Sequence, residues 1–153
     1  VSGNSISGTI MLKDMQRLVD LVNTEYGNVN YELTFSMNEK RVVIVIGSLK
    51  SELTVTCQRC LDDMEISINN NVSIGIINEE DELEDLNEGL DPYQAEEGKI
   101  SLLKLIEDEI LLGLPLVPLH EEALCPATKS LQEYTATKEN PFAVLKTLKQ
   151  QKS

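Results

Sequence analysis

Between Val29 and Ile76 the apolar residues keep a two-residue period, which only an extended chain can bury on one side. Val29, Tyr31, Leu33, Phe35 and Met37 alternate strictly with polar residues, and Val42 to Ile46 is a β-branched run too short for a typical helix. The alternation resumes at Leu53, Val55 and Cys57, then at Met64, Ile66 and Ile68, and again at Val72, Ile74 and Ile76. Asn38-Glu39-Lys40 suits a hairpin turn, and Gly47-Ser48 a bend or bulge. The pattern predicts an antiparallel β-sheet of about four to six strands with one face buried.

Helical spacing flanks this region on both sides. Ser5 to Ile10 suits a short strand, after which Met11, Met15, Leu18, Val19 and Val22 predict a helix ended by Gly27. Ser101 is placed to cap a second helix running to Gly113, with Leu102, Leu103, Ile106 and Ile110 inward and Lys104, Glu107 and Asp108 toward water. Neighbouring carboxylates on a helix point in different directions, so Glu107-Asp108-Glu109 reads as a solvated face rather than an acid/base pair. Pro115 and Pro118 bar continuation and impose an extended path toward His120, and Asn140-Pro141 leads into a last amphipathic segment at Phe142, Val144, Leu145 and Leu148. The fold class is α+β, with an N-terminal helix and a helix of the C-terminal half packed on the sheet. At 153 residues the chain is long enough for one core, so residues 1–153 are expected to form a single domain.

Charge divides the chain further. Of the 26 acidic residues, ten fall between Glu79 and Glu97, where there is no Lys or Arg. Such a stretch repels itself and holds few large apolar residues, which predicts a flexible loop over 79–97 without packed helix or strand. Residues 129–153 carry five lysines against two glutamates, a mobile basic tail that serves either as a binding arm or as a solubilising extension. Most of the formal charge of −13 therefore sits in one stretch, and the remaining surface is near balance.

No apolar run approaches the roughly 20 residues of a membrane span. An odd cysteine count without an N-terminal apolar leader argues for a reducing, cytoplasmic setting. The start at Val1 suggests that upstream residues were trimmed. A Gly-rich phosphate loop is lacking, and the single histidine is already claimed by its grouping with the cysteines, so none is left for a serine, histidine and acid constellation, and no enzymatic activity and no small-molecule substrate are expected.

The three cysteines and the one histidine form two tight groups, Cys57-Gln-Arg-Cys60 and His120-Glu-Glu-Ala-Leu-Cys125. A C-x-x-C bite holds two thiolates on one turn, and a second pair can complete the Cys3His shell of a structural zinc. The same residues could instead be small side chains without a metal, or a redox C-x-x-C, although redox motifs usually open a helix beside a βαβ unit and strands are predicted here. Arg59, between the two cysteines, could reach a phosphate or a carboxylate, or pair locally with Asp62 or Asp63.

CQRCL at the end of a strand, then LIEDEILLGLPLVPLHEEALC some 45 residues on, then NPFAVLKTLK near the end, resemble the YceD-like family, the large ribosomal RNA subunit accumulation proteins of bacteria and plastids. The likeness covers essentially the whole chain, apart from a segment that precedes Val1 in family members. It implies a non-enzymatic role in synthesis, processing or stability of 23S ribosomal RNA and in large-subunit assembly. Cys57, Arg59 and Cys60 fall on the family's C-x-R-C, and His120 and Cys125 on its second cluster. Ribosomal RNA or a large-subunit ribosomal protein is the implied partner, with Arg59, Phe142, Lys146 and Lys149 as candidate contacts. The alternative is a small zinc-binding or thiol-redox protein.

Overall fold

The computed structural model describes residues 3–24, 26–78, 80–86 and 88–137. Strands β1 (Asn4–Met11), β2 (Asn28–Met37), β3 (Val43–Thr56) and β4 (Asp63–Ile77) form an antiparallel meander, and β5 (Asp91–Gln94) joins β4 in parallel at the edge. A 3-10 turn at Leu12–Asp14 leads into the single-turn helix α1 (Gln16–Val19), and helices α2 (Leu102–Gly113) and α3 (Ala127–Thr137) come after the sheet.

The alternation seen in the sequence becomes one covered face. Val29 and Leu33 of β2, Val45, Leu49, Leu53 and Val55 of β3, and Ile68, Val72 and Ile74 of β4 are buried against Leu12, Met15, Leu18 and the α2 residues Leu105, Ile106 and Ile110. Each such side chain removed from water stabilises the fold by about 1.5–3 kcal/mol before the cost of ordering it. Odd-numbered residues of β4 and even-numbered residues of β3 point to the other face, where Lys50, Glu65, Asn69 and Asn71 are exposed.

Several expectations are corrected. The helix expected from Met11 shrinks to the 3-10 turn and one α turn, because Met11 stays in β1 and the Leu12 N–H bonds the Gly27 carbonyl at 3.0 Å. Of its expected apolar positions Met15, Leu18 and Val22 are nevertheless buried, while Val19 is half-buried and Met11 is exposed. Gly47 is not a bulge, for the ladders run through it unbroken as Leu33↔Gly47 and Gly47↔Val72. A Cβ there would lie 2.0 Å from the Glu32 carbonyl oxygen, so glycine lets β2 approach β3 closely. In α2 the Ser101 hydroxyl accepts from the Lys104 N–H as expected, but Leu105 rather than Leu103 faces the core, and Leu103 is exposed.

Glu107 is the largest departure. It is buried, not solvated: its Oε1 accepts from the Arg17 and Leu18 N–H groups at 2.9 and 3.2 Å, and its Oε2 from Arg17 Nε and Nη2 at 3.1 and 2.9 Å. The carboxylate therefore takes up the free N–H groups of the short α1, and Arg17 also reaches Asp108 at 2.7 Å.

The described part of the acidic stretch contains a packed strand, against expectation. Glu80–Asp85 is a 3-10 segment and Asp91–Gln94 is β5. Contacts from outside the stretch offset its self-repulsion. Lys40 Nζ pairs with Asp85 at 2.9 Å and reaches the Glu84 carbonyl, and Lys104 pairs with Glu96. Leu86 lies over Gly75, where a Cβ would meet its Cδ2 at 2.2 Å, so the chain crosses the outer face of β4 before β5 pairs at the edge. The tail expected from residue 129 begins inside α3, and Phe142, Lys146 and Lys149 lie outside the described residues.

Candidate metal centre

The β3–β4 hairpin tip is built to hold two sulfurs. β3 ends at Thr56 and β4 begins at Asp63, so Cys57 to Asp62 form the connection, closed by Cys57 N–H to the Asp62 carbonyl and Leu61 N–H to the Cys57 carbonyl, both at 2.9 Å. Leu61 takes the left-handed conformation, φ 65°, one residue after Cys60. That conformation costs a non-glycine residue about 1–2 kcal/mol and is maintained here by the loop's own hydrogen bonds.

The second group arrives along the extended segment after α2. Gln58 N–H donates to the Pro118 carbonyl at 2.9 Å, which seats the segment on the hairpin tip two residues before His120. The His120 N–H then points at Cys57 Sγ, 3.4 Å away, and His120 Nδ1 lies 3.3 Å from Cys60 Sγ. Glu121 to Cys125 make one turn, with Cys125 N–H on the Glu121 carbonyl at 3.0 Å, and the Cys125 carbonyl accepts from Thr128 N–H at the start of α3.

All four expected ligands converge. One donor atom each from Cys57, Cys60, His120 and Cys125 lies within 4.8 Å of every other. Bonds of about 2.3 Å to sulfur and 2.0–2.1 Å to nitrogen in a tetrahedron set donor separations of about 3.5–3.8 Å, so the group fits a tetrahedral ion after shifts of about 1 Å or less. Three sulfurs and an imidazole are soft to borderline donors, which suit zinc and do not suit magnesium or calcium. Cys57 and Cys125 are buried, while Cys60 and His120 are half-buried.

The thiols are electrostatically unequal. Burial pushes the Cys57 thiol up, but the backbone N–H groups of His120, Cys60 and Arg59 aimed at its sulfur, with the Cys60 thiol, outweigh this and bring it down to about 5. Burial pushes Cys60 up to about 11, offset in part by the Asp62 N–H and reinforced by Cys57 and Cys125. One thiolate thus holds its neighbour protonated, and a divalent cation between them removes that opposition.

Arg59 makes no ion pair with Asp62 or Asp63. It is half-buried, and its Nη1 donates to Thr128 Oγ1 at 3.1 Å, tying the hairpin tip to α3. Thr128 carried no sequence signal, since an exposed-looking threonine on a helix gives no sign of an arginine 69 residues away.

Residues 45–149 match the family model described as Large ribosomal RNA subunit accumulation protein YceD. Among curated proteins, the Large ribosomal RNA subunit accumulation protein YceD of Haemophilus influenzae is 30% identical over 150 residues, spanning 94% of this chain and 86% of that protein. No solved structure matches the chain.

Proposed function

Because the chain belongs to the YceD family, we propose that it acts without catalysis in synthesis, processing or stability of the 23S-type ribosomal RNA, and so in assembly of the large ribosomal subunit. The observation that carries this reading is the family match across residues 45–149, which include all four clustered donors. The metal centre takes a structural zinc, held by Cys57, Cys60, His120 and Cys125. Bound there, the ion cross-links the hairpin tip to the connection between α2 and α3.

A non-catalytic role is supported by how the reactive side chains are used. The one histidine is grouped with the three cysteines, and Glu107 is taken up by Arg17 and two backbone N–H groups. The redox alternative fits less well: the thiol with the lowered pKa, Cys57, is fully buried, whereas an attacking thiolate must reach its partner.

The partner is a basic large-subunit protein in preference to bare RNA, because an acidic surface attracts cations and repels phosphate. The protein works in the cytoplasm, and no helix among the described residues is long and apolar enough to cross a membrane. A deletion strain tests the function: mature large-subunit RNA should fall while small-subunit RNA is comparatively spared. Equal levels of both across growth temperatures would refute it.

A further inference from the structure

The LPLVPL run between α2 and the metal centre does little for the core. Leu116 is 101% exposed, Val117 59% and Leu119 40%. Its floor is a cavity of about 390 Å³ lined by Leu21, Val55, Leu111, Leu114, Leu116 and Pro118, among others. Leu21, one of the lining residues, is itself 61% exposed. So many large apolar side chains at one place mark a binding surface. Pro115 and Pro118 have no N–H to offer, so an occupant is held by side-chain burial rather than by strand addition.

Charge around the groove selects the occupant. Asp20 precedes Leu21, Asp63 is the cross-strand neighbour of the groove residue Thr56, and Glu121 follows the extended run; all three are exposed. Among the described residues no lysine or arginine lines the cavity, and Arg17 is paired with Glu107 and Asp108. An apolar floor with an anionic rim repels phosphate and lacks the aromatic platform on which bases stack.

We propose that this groove docks a basic polypeptide segment carrying apolar side chains, which names the contact surface for the partner in the reading above and rests on that reading. Lysines and arginines of the segment meet Asp20, Asp63 and Glu121, and its apolar side chains fill the cavity beside Leu21 and Leu116.

The test uses the full chain and two probes, total protein extracted from purified large ribosomal subunits and a transcript of large-subunit RNA. Leu116→Asp with Val117→Asp changes only exposed positions, so the melting temperature should hold while retention of the subunit proteins falls at least tenfold. Asp20→Lys with Glu121→Lys should weaken retention in the same direction. A photocrosslinker at position 116 should join lysine- and arginine-rich segments of subunit proteins. Unchanged retention by the first double variant would overturn the proposal, as would crosslinks from position 116 to the RNA, to residues 138–153 of the chain itself, or to a second copy. A Leu116→Asp, Val117→Asp chain that restores large-subunit RNA in the deletion strain as fully as wild type would overturn the groove and leave the family-based function standing. A deletion strain with unaltered large-subunit RNA would overturn that function, and retention and crosslinking would still decide the groove.

Discussion

A single carboxylate, Glu107, joins two parts of the chain that are 90 residues apart. With its side chain only 9% exposed it accepts four hydrogen bonds, two from backbone N–H groups that have no other helical partner and two from Arg17. Charge-assisted hydrogen bonds, two guanidinium donors on Oε2 and two backbone N–H groups on Oε1, explain why an acid is tolerated beside Leu105, Ile106 and Ile110. Glu107→Ala should destabilise the fold by about 2 kcal/mol, the scale for interior N–H donors left without their acceptor. The midpoint of urea unfolding checks this, and a change below about 0.5 kcal/mol would mean that water replaces the carboxylate at no cost. Asp108→Ala, which removes the more exposed of Arg17's two partners, should cost less.

At the level of elements, β5 shows how an acid-rich stretch can be folded by what surrounds it. Lys40, Lys104 and the cleft over Gly75 lie outside residues 79–97, and each fastens part of them. Tyr93 reports on the docking, because its hydroxyl donates to Asp108 Oδ2 at 3.2 Å. Burial, then the Asp108 carboxylate, pushes its phenol up to about 12. The folded state therefore keeps a proton that the unfolded chain loses near pH 10. Stability tied to Tyr93 is complete below about pH 10 and declines as the pH rises toward about 12. Phenolate absorbance should show one of the four tyrosines titrating near 12, a step absent from Tyr93→Phe. If the step persists in that variant, β5 is not docked beside α2 as described.

For the whole molecule, the Cys57, Cys60, His120 and Cys125 cluster lies apart from the core. The sheet closes over Leu33, Leu49, Val72 and Ile106 without help from the four donors, whereas none of the α3 side chains from Ala127 to Tyr134 is buried. The purified protein should carry one zinc per chain by elemental analysis. Its removal by chelator should lower the melting temperature on the order of 5 °C, reversibly, with little change in far-ultraviolet circular dichroism. Hydrogen exchange should rise first over residues 120–134. Cys60→Ser should lose the ion and mimic the chelated protein. Protein that is zinc-free as purified and indifferent to added zinc would remove the metal from the account.

The sequence by itself determined whatever repeats within an element or packs into a short motif. The period of two over Val29 to Ile76 placed β2, β3 and β4; Ser101 and Gly113 bounded α2; and the two donor groups, with prolines steering the second, announced a centre that the fold closes to within 4.8 Å. These signals are local because backbone geometry imposes them residue by residue. Tertiary structure alone decided which carboxylate would be buried, where the acidic stretch would dock, and that Arg59 would turn to Thr128. Each of these depends on a partner supplied from far along the chain. Charge and polarity are written in a side chain, but the environment that decides their effect is built only when distant segments meet.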